Sequence, residues 1–280
     1  MNLVKKSLIK KIYKKRPVDS HKGNFGNLLV IGGSRIYSGS PALVAMAAIN
    51  SGSDLTMIMA PERAANIAAT FGPDIITYPL KGNYFSEKHV NDVRRVIEKY
   101  DAVTIGNGMC RESKILSAIN STIKFLKSKD IPCVVDADAI HAVSKNKILN
   151  DNFVLTPHAI EFKVLTGKKP PQEIEERIKA VEKAAKKYNC IILLKGHIDI
   201  ISDGERTMLN KTGSPYLTKG GTGDVLTGIC GALLARGVKH FYAACAAAYI
   251  NGKAGQMAAK KYKESLMAIN VIENIRKVIK

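Results

Sequence analysis

Leu217-Thr218-Lys219-Gly220-Gly221-Thr222-Gly223-Asp224-Val225-Leu226-Thr227-Gly228-Ile229 is the stretch on which the reading of this chain turns. Three glycines and a threonine precede an aspartate, and an apolar helical pattern begins at once. Gly220, Gly221 and Gly223 allow positive φ and close approach of a ligand to the backbone. A helix starting there presents unpaired N–H groups and the positive end of its dipole. That combination suits a phosphate or a developing oxyanion. Asp224 then stands at the mouth of the anion hole as a carboxylate able to take a proton. The expectation is a general base acting on a hydroxyl while the turn holds a transferring phosphoryl group. The competing reading is a plain glycine turn with Asp224 as a helix cap. What the stretch has for company along the chain tips the balance away from it.

Working outward, buried apolar runs recur, and most end in special residues. Leu28–Ile31 ends in Gly32-Gly33, Ala102–Ile105 in Gly106-Asn107-Gly108, and Ile131–Val135 in Asp136-Ala137-Asp138. Phe153–Leu155 ends in Thr156-Pro157-His158, and Ile191–Leu194 in Lys195-Gly196-His197. Leu55–Ala60 is a further strand, and Asp74–Leu80 is a short strand or an extended loop. Helical patterns follow four of the five special ends; after Lys195 the pattern is a hairpin around Asp203-Gly204. Ser40 before Pro41 reads as the cap of the helix that follows the first glycine pair. Strands alternating with helices predict an α/β fold with a mostly parallel central sheet flanked by helices. Ligands bind beyond the carboxyl ends of such strands, which is where the special residues gather. Lys-rich residues 1–20 predict a short N-terminal helix ending before Pro17, and no linker divides residues 1–280, so a single domain is expected.

Composition narrows the class. An apolar content of 46% with 24% charged residues is that of a folded globular chain. Its apolar stretches are too short to span a bilayer, and Met1-Asn2-Leu3-Val4-Lys5-Lys6 lacks the core of a secretory signal. The five cysteines, with no CxxC pair, read as reduced residues of a cytoplasmic protein. The net charge of +19 raises nucleic-acid binding. The lysines, however, are dispersed over helices and tryptophan is absent, so a basic surface attracting an anionic small molecule is preferred. No P-loop, Rossmann fingerprint, GxSxG or HExxH is present.

Several side chains carry candidate roles. Lys195 with Gly196 sets a cation and a bare backbone beside a nucleotide. Asp136 and Asp138 are candidates for ordering magnesium, with Asp138 equally a helix cap. His158 is a candidate hydrogen-bonding partner of a carboxamide or sugar hydroxyl. Glu161, one turn on, either caps the turn or orients a water.

The segments Lys22-Gly23-Asn24-Phe25-Gly26, Ile31-Gly32-Gly33-Ser34, Val135-Asp136-Ala137-Asp138-Ala139-Ile140, Thr156-Pro157-His158 with Glu161, Lys195-Gly196 and Gly220 to Gly228 resemble, in order and over nearly the whole chain, the ADP/ATP-dependent NAD(P)H-hydrate dehydratases. The resemblance implies a ribokinase-like three-layer fold and repair of the S form of hydrated NADH and NADPH. ADP or ATP would be the phosphoryl donor, with Mg²⁺, in a homotetramer. Many members carry an extra N-terminal epimerase domain; this chain starts almost at the dehydratase motifs and so resembles the stand-alone form. By the same resemblance Asp224 is the base, and Gly221, Thr222 and Gly223 stabilise the phosphoryl group. Lys195, Gly196, His197, Ile198, Asp199 and Gly223 contact the nucleotide. Ser40, Gly108, His158 and Asp224 contact the hydrate, and Asp136 serves magnesium.

The chain departs from the family pattern at Gly106-Asn107-Gly108-Met109-Cys110, where Gly-Pro-Gly-Leu-Gly is usual. It also has Thr156-Pro157-His158-Ala159-Ile160-Glu161 in place of a Thr-Pro-His-Pro-Gly-Glu turn, and Lys219 before the glycine turn. Lys219 is expected to add charge facing the phosphates. A ribokinase-like kinase of a small vitamin-precursor alcohol is the alternative. It would use the same turn and aspartate but release a stable ester.

Overall fold

The computed structural model describes residues 2–144 and 148–280. The chain opens with β1 (Asn2–Leu3) and α1 (Lys6–Ile12). The expected N-terminal helix is therefore shorter than residues 1–20, and the residues before it form a strand that the sequence pattern did not announce. Then come β2 (Asn27–Ile31), α2 (Gly39–Asn50), β3 (Leu55–Pro61), α3 (Glu62–Ala69) and β4 (Ile76–Leu80). The middle of the chain alternates α4 (Glu87–Val96), β5 (Ala102–Ile105), α5 (Ser113–Ser128), β6 (Cys133–Val135), α6 (Asp138–Val143), β7 (Phe153–Leu155), α7 (Ala159–Thr166) and α8 (Ile174–Tyr188). The hairpin region is β8 (Ile191–Leu194), β9 (Asp199–Ser202) and β10 (Thr207–Asn210), followed by α9 (Thr222–Ala235), α10 (His240–Tyr262) and α11 (Ala268–Val278).

Among the described residues, ten strands join one sheet in the order β1-β10-β9-β8-β7-β6-β5-β2-β3-β4. Pairing is parallel except at β8–β9 and β9–β10. Those two exceptions are consecutive hairpins, whose short connections, 195–198 and 203–206, can only reverse the chain. β1 lies parallel on the outer side of β10, Asn2 opposite Met208.

Two apolar layers follow from the period of two along each strand. Leu28, Val30, Ile58, Val134, Val154 and Leu193 face the layer containing α2, α9, α10 and α11. Leu29, Ile31, Met59, Val135, Leu155 and Leu194 face the layer containing α5, α6 and α8. The first layer is built from small residues. A Cβ on Gly228 would lie 2.1 Å from the Val44 carbonyl oxygen, so α9 and α2 are in contact backbone to backbone. A side chain on Gly255 of α10 would collide with Leu217, which seats the segment leading to α9 against that helix. Among the described residues no helix is long and apolar enough to cross a membrane.

β2 and β5 are neighbours, and the chain runs away from them in opposite directions, to β3 and β4 on one side and to β6, β7 and β8 on the other. This is the topological switch point, where a crevice opens beyond the strands' carboxyl ends. Gly32, Gly33, Gly106, Asn107 and Gly108 stand at its rim, and the Gly33 amide donates to the Asn107 carbonyl at 2.8 Å.

Candidate active site

At the end of β6 the Asp136 carboxylate is only 2% exposed. It accepts from Lys195 Nζ at 3.0 Å, from Thr227 Oγ1 at 2.7 Å and from Asn107 Nδ2 at 3.1 Å. Burial alone would raise its pKa; the Lys195 charge, with the hydroxyl of Thr227 also donating, outweighs burial and holds the carboxyl below its usual range. Lys195 shows the mirror image. Burial works against its charge, but Asp136 and then Glu161 raise its pKa above the ordinary lysine value. Its ammonium lies 3.6 Å from Glu161 Oε2. Two strand ends and one helix therefore converge on a fixed cation whose side chain is still 21% exposed.

Asp224 sits in the first turn of α9, partly buried. Its Oδ1 accepts from Asn107 Nδ2 at 2.7 Å. Desolvation lifts its pKa to about 6; Asn107, Ser40 and Lys195 pull it down and Asp136 adds to the rise. A carboxyl poised there is ionised at neutral pH yet basic enough to accept a proton during a reaction.

The turn before it is more economical than the sequence suggested. Of the three glycines only Gly221 takes positive φ, at 89°. Gly220 and Gly223 serve instead by leaving the backbone bare: a Cβ on Gly220 meets nothing within 4 Å, and one on Gly223 would stand 3.6 Å from Lys195 Nζ. The first amides of α9 have no acceptor in their own helix, and the lysine ammonium lies beside them. Thr222 turns its hydroxyl inward, within 2.8 Å of the Leu217 carbonyl and 2.9 Å of the Lys219 carbonyl, and its amide donates to that same Lys219 carbonyl at 3.5 Å, so an anion would meet the amides that follow it, from Gly223 onward. Lys219 bonds the carbonyl of Glu264, a contact that holds its ammonium at α11's approach.

Ser40 lies inside the first turn of α2, whose cap position is Ser38; it is not the cap that its place before Pro41 suggested. Its Cβ is 3.3 Å from the position a Cβ would take on Gly108, so these two expected substrate contacts are neighbours, with Tyr37 beside them. His158 is the N-cap of α7. Its Nδ1 accepts from the Ile160 amide at 3.1 Å, and Glu161 Oε2 accepts the His158 amide at 2.8 Å. Glu161 thus reaches back to close a capping box, and it also faces Lys195. With Nδ1 committed as an acceptor, neutral His158 carries its proton on Nε2, and its side chain is 48% exposed.

Lys195 to Asp199 form a tight turn: Asp199 Oδ1 accepts the Gly196 amide at 3.0 Å and Oδ2 accepts from Asn210 at 2.9 Å. Gly196 and His197 are exposed and Ile198 half-buried, leaving this loop open along its rim.

The acidic pair after β6 does not suit magnesium. Both Asp136 oxygens already have donors. Asp138 Oδ2 accepts the Cys110 amide at 2.8 Å and Oδ1 the Arg111 Nε at 2.6 Å. It lies at the first position of α6, whose cap is Ala137, so it is not the cap either. Among the described residues no three His, Cys, Asp or Glu side chains group to hold a metal. Among the described residues, the side chains after β6 do not fit a resident Mg²⁺.

Sequence reasoning missed Asn107 and Thr227. Thr227 could have been found, since it follows Asp224 by three residues on a helix and so lies on the same side. Asn107 showed only as an unusual residue between two glycines.

Comparison with known proteins adds to this geometry. A family model described as NAD(P)H-hydrate dehydratase matches residues 28–277. The chain is 39% identical to an ADP-dependent (S)-NAD(P)H-hydrate dehydratase of Nitrosopumilus maritimus, over 98% of this chain and 95% of that one. It is 43% identical to a bifunctional NAD(P)H-hydrate repair enzyme of Pyrobaculum aerophilum, matching 95% of this chain and 52% of that protein. The chain thus spans about half the length of such bifunctional relatives. The structure superimposes on the ADP/ATP-dependent NAD(P)H-hydrate dehydratase of Bacillus subtilis co-crystallised with ATP and Mg²⁺, with a TM-score of 0.86, 24% identity and coverage of 99% and 97%. That likeness establishes the ribokinase-like fold.

Proposed function

This chain belongs to the NAD(P)H-hydrate dehydratase family, and from that premise we propose that it dehydrates the S form of hydrated NADH and NADPH at the expense of ADP or ATP. The observation that carries the reading is Asp224: a carboxyl raised to about 6, at the start of a helix whose free amides adjoin the Lys195 ammonium.

Hydroxide is a poor leaving group, and phosphate is a good one. The ring hydroxyl attacks the terminal phosphorus of the nucleotide while Asp224 takes its proton, and the bond from phosphorus to the bridging oxygen breaks. The backbone of Gly221, Thr222 and Gly223 and the Lys195 ammonium face the charge on the transferring group. The ring nitrogen's lone pair then expels phosphate, and loss of a proton from the neighbouring ring carbon restores the dihydronicotinamide. Lys195 to Asp199 line the nucleotide's side of the crevice, and Ser40, Gly108 and His158 the hydrate's side. The protein supplies mainly position and electrostatics.

ADP is taken as the preferred donor because the relative from Nitrosopumilus is named for it. Any Mg²⁺ would arrive on the nucleotide's phosphates. We further take the whole of residues 1–280 as one domain and the protein as a cytoplasmic homotetramer. The four buried free thiols of Cys133, Cys190, Cys230 and Cys245 accord with a reducing compartment.

The test supplies purified protein with NADH hydrate and either nucleotide and follows the return of dihydronicotinamide absorbance with release of inorganic phosphate. Failure to recover NADH, with accumulation of a stable phosphate ester of some other alcohol, would overturn the reading in favour of a kinase.

A further inference from the structure

One side chain in the crevice has no place in the chemistry above. Asn107, at the end of β5, is 1% exposed. Its single amide nitrogen donates in two directions, to Asp224 Oδ1 at 2.7 Å and to Asp136 Oδ2 at 3.1 Å. An amide nitrogen carries two hydrogens and no acceptor, so both donors are used, one on each carboxylate.

This junction is unusual in its charges. Asp136 is held ionised by Lys195 and Thr227, and its negative charge opposes a second one at Asp224. Facing Asp224 are Asp136 from the end of β6, Lys195 from the end of β8, the hydroxyl of Ser40 from α2, and Asn107 from the end of β5. Glu161 of α7 enters through Lys195. Of these groups only Asn107 touches both carboxylates without bringing charge of its own. Its backbone is fixed too, because its carbonyl accepts the Gly33 amide at 2.8 Å.

We propose that Asn107 is the positioning residue of the base: it pins Asp224 Oδ1 against the buried Asp136–Lys195 pair, so that the substrate's proton is received on Asp224 Oδ2. An oxygen that is already accepting a short amide bond is the poorer site for an incoming proton, and a pinned carboxylate cannot rotate to exchange its oxygens. The inference rests on the function proposed above for its catalytic meaning, but the bridge itself can be tested without turnover.

The experiment has two arms. In wild-type protein labelled at aspartate carboxyl carbons and asparagine side chains, NMR follows Asp224 across the pH range, its signal assigned by its loss in Asp224→Asn. Both Nδ2 protons of Asn107 are expected to resist solvent exchange and to shift as Asp224 titrates. If neither senses that titration, the bridge does not exist in solution and the proposal falls, whatever the enzyme does. In Asn107→Leu, which keeps the volume and removes both donors, Asp224 should titrate at higher pH. The acid limb of kcat/KM should move the same way, and kcat should fall about tenfold to a hundredfold, as expected for loss of a hydrogen bond to a charged group. The KM for nucleotide should stay within about threefold. A folded Asn107→Leu with an unmoved acid limb and an unmoved carboxyl titration would refute the role. Inactive wild-type protein would defeat the functional reading while leaving the NMR result to stand or fall separately.

Discussion

Replacing Lys195 with methionine tests the electrostatic heart of the site through stability alone. The substitution keeps the length of the stem and removes the ammonium that lies 3.0 Å from Asp136 Oδ1. Breaking a buried ion pair by deleting one partner costs about 3–5 kcal/mol, because a charge is left without its counterion. Asp136 keeps its donors from Thr227 and Asn107, and the lysine is itself a fifth exposed, so the lower end, about 3 kcal/mol, applies. For a chain of 280 residues that corresponds to a fall in Tm of roughly 5 °C. The pH dependence fixes the cause. In the wild type Asp136 is held below its ordinary pKa, so its contribution is present above the usual carboxylate range and is lost as pH falls through the lowered value. In Lys195→Met burial, the largest influence on Asp136, is opposed only by neutral donors such as the Thr227 hydroxyl; Asp136 is expected to titrate above the ordinary value, with stability lost as pH rises. The gap between the two proteins should therefore be wide at about pH 8 and narrow towards about pH 5. Adding Asp136→Asn to Lys195→Met should recover most of the loss. The assay is thermal unfolding followed by circular dichroism without nucleotide. A single variant melting within a degree or two of wild type at every pH, or a double variant no better than the single, would refute the account of Asp136 as a buried counterion.

Asp224→Asn should leave nucleotide binding by calorimetry nearly unchanged and lower kcat by about a hundredfold to ten-thousandfold, as expected for loss of a general base. With the base near 6, kcat/KM of the wild type should fall about tenfold per unit below that pH and level off above it. Because the folded-state pKa of Asp224 is raised, its contribution to stability is full below its unfolded value and lost as pH climbs towards about 6. The Asn variant should accordingly melt higher than wild type at neutral pH. Gly228→Ala sets a methyl group 2.1 Å from the Val44 carbonyl. Overpacking of that kind costs about 1–3 kcal/mol, read as a lower urea midpoint with an unchanged slope.

The sheet was legible because its strands are short buried runs that end in glycine, aspartate, histidine or lysine. Leu28–Ile31, Ala102–Ile105 and Ile191–Leu194 lie within or coincide with observed strands, and the Asp203-Gly204 hairpin forms as expected. β1 was not legible: two exposed residues carry no pattern, and only the free edge of β10 gives them a partner. The gathering of Lys195, Asp136 and Gly108 followed from their common position just beyond strand ends, whereas Ser40 and Asp224 reach the same crevice from the first turns of α2 and α9. What each does there was harder to read, since a side chain's partners depend on the order of strands. Asp136 looked like an open carboxylate until β5, β6 and β8 brought Asn107 and Lys195 onto it. Asn107 stood out in the sequence only by replacing a more usual proline. Its reach to two carboxylates depends on α9 descending onto β5, which no local pattern encodes.

The notches at Gly228 and Gly255, where helix meets helix and where Leu217 is seated, bear on how the crevice would receive a nucleotide. Layers that touch backbone to backbone cannot slide by fractions of an ångström without collision. The receptacle proposed for the phosphates is thus finished before any guest arrives, and the entropy of ordering it was spent at folding. Whatever movement accompanies capture must come from the rim, where Ile36 and Tyr37 stand out in water beside an otherwise rigid floor.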